Sequence, residues 1–115
     1  MNISEYEDHY RGRAEHRELP DYMLDVLVRY IVHGIEPGSF MTAVLENDLA
    51  WAATRADAVN RHNLFKYASF LLYDAPNGCW GSKSKVREWI EKGGLSSLQG
   101  SSVWTPKNKD KVEIQ

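Results

Sequence analysis

Few side chains in this 115-residue chain have the type and spacing that chemistry needs. Cys79 is the only cysteine. It lies between Gly78 and Trp80, beside a helix start that can lower a thiol pKa. No histidine neighbours it in sequence, so the simpler reading is a small buried apolar filler. A lone cysteine also leaves neither an intrachain disulfide nor a Cys-based zinc site. His9, His16, His33 and His62 form no i, i+3 or i+4 pair, the spacing by which one helix presents two metal ligands together. The expectation is four mostly exposed histidines and no metal. Paired carboxylates for acid–base work need a cleft and perturbed pKa values. No catalytic residue and no cofactor is assigned.

Anion binding is the next chemistry to weigh. Gly38-Ser39 and Gly81-Ser82 each precede a helix, and free N–H groups at helix starts hold anions. Neither loop has the spacing of a P-loop or a dinucleotide fingerprint, and ordinary capping is the simpler reading of both. The candidate ligand set is Gly38, Ser39, Arg55, Arg61, Trp80 and Ser82, with Trp80 to stack on a base and the arginines to pair charge. A nucleotide second messenger would be its ligand. Asn47, Asp48, Arg55, Asp57, Asn60 and Arg61 form a dense polar cluster, read first as a network bracing a helix junction. Arg61 lies four residues after Asp57, a favourable pair on a helix.

Four tryptophans are many for this length. Trp51 and Trp89 fit core stripes, whereas Trp80 sits in a loop and Trp104 in the tail. Lys83, Lys85, Arg87 and Lys92 give one helix a basic face. Exposed aromatics anchor interfaces, so the candidate partner-binding set is Trp80, Lys83, Lys85, Arg87 and Trp104. Lys107, Lys109 and Lys111 extend the basic character into the tail. Residues 1–82 carry seven Lys/Arg against twelve Asp/Glu (−5), and residues 83–115 seven against four (+3). That asymmetry favours a charged partner. It is too small for the concentrated basic stripe of a DNA reader, so DNA ranks below a protein partner.

These side chains must be positioned by helices. The expected fold is all-α, a compact bundle of about four to five short helices with a polar, partly irregular C-terminal tail. Residues 1–18 form a polar arm or short helix, with Ile3, Tyr6 and Tyr10 at i, i+3 and i+7. Residues 19–93 form the helical domain and 94–115 the tail. Pro20 opens a helix at about 20–33 that is apolar over much of its circumference, hence central, and Gly34 ends it. Two short helices follow at about 39–46 and 48–56, separated at Asn47-Asp48 because Asn and Asp compete for backbone hydrogen bonds. Asp57 caps a helix at 58–74 whose stripe, Leu64, Ala68, Leu71, Leu72 and Ala75, is the cleanest in the chain, widened by Phe65 and Phe70. Ser82 caps the last, 83–92, ended by Gly93-Gly94. The N-terminal MNISEYEDHYRGR has no apolar core, so no secretory leader is expected. No run reaches the ~18 apolar residues of a membrane span. A reducing cytosol is the expected compartment, and a chain this small gains burial from forming a homodimer.

The segments GIEPGSFMTAVLENDLAWAATRAD and YDAPNGCWGSKSKVREWI carry a resemblance. The chain is similar to an uncharacterised family of small accessory proteins of phages and prophages of Gram-negative bacteria. The matching residues are Gly34 to Leu49, Arg55 to Asp57, Leu72 to Pro76, Trp80 to Ser82 and Trp89-Ile90. The likeness covers roughly residues 20–92 and leaves the arm and tail unassigned. It implies a phage protein working in the host cytoplasm and transfers no catalytic residue. Small dispensable phage genes often block host defence. The expectation is therefore a non-enzymatic inhibitor that binds a bacterial defence protein. A sponge for a nucleotide second messenger and a DNA-binding modulator are the alternatives.

Overall fold

The computed structural model describes residues 1–97. Leu98, Val103, Trp104 and the lysines at 107, 109 and 111 lie outside the described residues. Among the described residues there are seven helices and no strand: α1 (Ile3–His16), α2 (Asp21–His33), α3 (Ser39–Leu45), α4 (Leu49–Arg55), α5 (Ala58–His62), α6 (Leu64–Tyr73) and α7 (Lys83–Lys92). The fold is all-α, with more helices than the four to five expected. Two differences account for the excess.

The first is α1, a full helix of fourteen residues. Asn2 and Glu5 form a reciprocal capping box, which satisfies two otherwise orphaned backbone donors. Its apolar stripe is thin, but Ala14 is buried and Ile3, Tyr6 and Tyr10 pack against the core. Charge fixes the rest of the face. Arg11 pairs with Asp25, and His33 Nε2 lies 2.8 Å from Glu7 Oε2. Arg13 and Arg17 converge on Asp74 at 2.8 and 2.6 Å.

The second difference is a break at Asn63 inside the expected helix at 58–74. The Asn63 side-chain amide donates to the carbonyl of Val59 at 2.8 Å, competing with the backbone ladder at that point. Asn63 leaves the helical region there, with φ −111° and ψ 15°.

α2 is the central helix. Met23, Leu24, Leu27, Val28, Tyr30, Ile31 and Val32 are all buried on it. Three contacts lock α7 and its preceding loop onto this helix. The Tyr30 hydroxyl donates to Cys79 O at 2.6 Å, and Trp89 Nε1 donates to the carbonyls of Tyr30 and Ile31 at 3.0 and 3.1 Å. Gly34, at φ +69°, ends α2 against the backbone of Gly94, so close that a Cβ on either residue would lie under 3 Å from main-chain atoms of the other. Leu95, assigned to the tail on sequence, is buried, and its N–H donates to Ile31 O at 3.1 Å.

Between α3 and α4 the chain turns at Asn47, φ +63°, and Asp48 caps α4 through the N–H of Trp51 at 3.1 Å. This start sets the phase of α4. Ala52 and Ala56 face inward. Trp51, expected in the core, is instead 51% exposed, with the Arg55 guanidinium 4.7 Å over its ring. Trp89 is buried as its stripe predicts.

Candidate functional site

α6 is where the apolar pattern and the core part company. The residues it buries are Tyr67, Phe70 and Leu71. Tyr67 packs edge-on against Phe40, and its hydroxyl donates to the buried Asn60 Oδ1 at 2.6 Å. That bond ties α6 to α5. Ala68 and Leu72, two members of the cleanest stripe, are exposed, and Leu64, a third, is only partly buried against the core. They line an open groove of about 290 Å³. Val44 on α3, Leu49 and Ala52 on α4 and the core residue Leu71 complete its apolar lining with Trp80. Leu49 is 74% exposed and Leu72 63%. Phe65 and Tyr73 are further exposed apolar side chains on the same helix.

The groove has stiff walls. Gly81 N–H donates to Leu45 O at 2.7 Å, which fastens the Trp80 loop to the end of α3. On the other side of Trp80, Cys79 is fully buried, and burial pushes its thiol up to about 12. A thiol so placed is packing, not a nucleophile. The polar part of the lining is Asn47 and Asp48. Its only titratable side chain, Asp48, is engaged as the cap of α4. What this surface can do is bury apolar groups. Fully covering an exposed leucine such as Leu49 or Leu72 contributes at most roughly 1.5–3 kcal/mol.

A second, polar cleft of about 370 Å³ lies between α3, α4 and α7. It brings together Ser39, Arg55 and Lys83 from the candidate residues, along with Trp51, Glu36 and Glu46. Lys83 is already paired with Glu46 at 3.4 Å. Arg87 and Glu91 continue the same strip along α7. Three cations thus sit among three carboxylates.

The structure does not unite the other candidates there. Gly38 is the N-cap of α3 without a side-chain cap. Arg61 donates to Ala56 O at 3.1 Å and forms no ion pair with Asp57 within 4 Å. Ser82 accepts the Lys85 N–H at 3.2 Å as the cap of α7, and Trp80 faces the apolar groove. The aliphatic stem of Lys85 lies beside Gly81. Trp104 is outside the described residues. The polar cluster at 47–61 acts mainly in capping: Asp57 caps α5 through Asn60 N–H at 2.7 Å and accepts the Tyr22 hydroxyl at 2.7 Å. The backbone bond from Asn60 and then the Tyr22 bond hold its carboxyl below the usual range. Among the described residues no three His, Cys, Asp or Glu side chains gather as a metal site, and no helix is long and apolar enough to cross a membrane.

Sequence reasoning placed Trp80 among the candidates but missed Val44, Leu49, Leu64, Ala68 and Leu72, because each fits a helical stripe that normally marks core. One signal was available. Leu71 and Leu72 are about 100° apart on a helix, so a stripe containing both, plus Phe70, is wider than one neighbour can cover.

Compared with protein-family models, with curated proteins and with solved structures, the chain finds no match.

Proposed function

We propose that this protein is a non-enzymatic phage accessory protein that acts in the host cytoplasm by binding a host protein, a component of bacterial defence. The observation that carries the binding half is the open apolar groove between α3–α4 and α6, walled by Trp80 and flanked by exposed Leu49 and Leu72. Exposed contiguous apolar surface on a small chain marks an interaction site. The phage and host half rests on the resemblance. Its pattern and the groove overlap: Val44, Asn47, Asp48, Leu49, Leu72 and Trp80 belong to both, six of the ten lining residues. The experiment is affinity purification from bacterial host lysate with the wild-type chain and with Leu49→Asp/Leu72→Asp. A defence protein enriched by the first and lost with the second supports the reading. Equal recovery on both removes it.

The nucleotide-sponge alternative is less well supported. The cleft holding Ser39, Arg55 and Lys83 also holds Glu36 and Glu46, which repel a phosphate. Thermal shift with cyclic and linear nucleotides tests it, and no stabilisation at high ligand concentration eliminates it. The DNA alternative relies on the basic face of α7 together with Lys107, Lys109 and Lys111, and a gel shift at low salt tests it.

A further inference from the structure

Resting on the reading of the groove as the binding surface, the chemistry of its lining narrows the occupant. Among the described residues there is no strand, and so no sheet edge to which a peptide could add a strand. The helices of the walls bond their interior backbone groups to one another, and in the turn and loop between them the N–H groups of Asn47, Asp48 and Gly81 donate to Val44 O, Ala43 O and Leu45 O. Recognition therefore falls to side chains, which is the mode of an amphipathic helix laid in a groove with apolar anchors at i, i+3 and i+4. The groove, about 290 Å³, is at the floor of the ~300–1,000 Å³ range of small-molecule sites, and so fits a few anchoring side chains better than a cofactor.

Charge decides the rest. Asp48 is the only charged residue in the lining, and no cation pairs with it among the described residues. Its Oδ1 takes the Trp51 N–H. A carboxylate has capacity for further bonds through its second oxygen. We infer that the groove takes an amphipathic helix of another protein whose apolar anchors are flanked by a lysine or arginine that pairs with Asp48. A second copy docking groove to groove would offer another Asp48 and no cation to pair with the first, which disfavours that occupant.

The test is selection from a display library of amphipathic helical peptides, randomised in charge at the positions flanking the anchors, against the full chain. The readout is the ratio of Lys/Arg to Asp/Glu at those positions among peptides that lose binding to Leu49→Asp/Leu72→Asp. An enrichment of roughly five-fold at low salt is expected, the size of an exposed pair near its upper limit. It should vanish when the same library is selected against Asp48→Asn, which keeps an N-cap side chain and so leaves α4 intact. No enrichment, or enrichment that survives Asp48→Asn, overturns the inference while leaving the groove as the binding surface. Peptides that bind wild type and Leu49→Asp/Leu72→Asp alike overturn both. Concentration-dependent dimers whose formation is blocked by Leu72→Asp also overturn it, since the groove would then belong to a second copy.

Discussion

Leu71 and Leu72 are consecutive on α6, yet Leu71 is 4% exposed and Leu72 63%. The first belongs to the core and also touches the groove lining, while the second lines the groove with most of its side chain exposed. The same residue type in adjacent positions thus meets two environments on one helix, one buried and one open.

Substitution at these two positions should separate in the same way. Leu71→Ala should cost about 2–4 kcal/mol, the usual range for emptying a well-packed leucine site. Leu72→Asp should shift stability by only about 0.5 kcal/mol, as for an ordinary surface change. Chemical denaturation of both variants checks this. A large loss at Leu72 would mean that its side chain is covered in the free protein.

Asp74 links stability to acid. Its side chain is 5% exposed. Burial alone would raise its pKa, but the hydrogen bonds from Arg17 and then Arg13 outweigh it and hold the carboxyl below the usual range. A depressed folded pKa contributes stability that is present above the unfolded value, near 3.9, and is lost as pH falls through the folded value. Acidification below about pH 4 should therefore release α1 from α6 before the core melts. Asp74→Asn should cost roughly 1 kcal/mol at neutral pH, because both arginines can regain water. It should also flatten the acid dependence relative to wild type. Unfolding free energies measured across the acid range read both effects.

The Tyr67–Asn60 bond ties α6 to α5 beside the packing of Phe70 and Leu71. Asn60 is a buried polar residue, 4% exposed. Tyr67→Phe leaves its Oδ1 without the 2.6 Å donor, which should cost about 1–3 kcal/mol. Amide exchange on α6 should speed up relative to α2. Unchanged stability and exchange would show that α6 is oriented by packing alone.

Two glycines should respond with opposite signs. Gly94 has φ +65°, and a Cβ there would sit 2.7 Å from Gly34 N and Ile31 O, so Gly94→Ala should cost more than about 2 kcal/mol. Gly12 is on α1 with open space around it, and Gly12→Ala should stabilise by roughly 0.5–1 kcal/mol. Thermal melts of the pair check both signs.

The helices most readily legible in the sequence are those with strong punctuation. Pro20 and Gly34 bracket α2, Ser82 and Gly93 bracket α7, and Asp48 and Asp57 cap their helices as their chemistry suggests. α1 was hard to read because its anchoring is mostly ionic and spans great sequence distance: Arg13 and Arg17 meet Asp74 near the other end of the domain. The Asn63 break depends on a single side-chain amide choosing a local carbonyl, which no periodicity encodes. The groove was obscured for a related reason. Apolar spacing says that Leu64, Ala68 and Leu72 share a face of α6, and only the tertiary placement of α3, α4 and the Trp80 loop around it leaves Ala68 and Leu72 exposed. Trp51 misled in the reverse direction, since the alanines at 52 and 56 took the inward positions.

The central claim is that the groove is the surface by which this chain binds its host partner. Its most direct measurement is the dissociation constant of the partner recovered from host lysate, for wild type and for Leu49→Asp/Leu72→Asp, with folding of the variant verified by its helical signal and melting. Two anchors of an interface lost together should weaken binding by at least about 100-fold while the fold is kept. An unchanged dissociation constant with a folded variant would contradict the assignment of the groove.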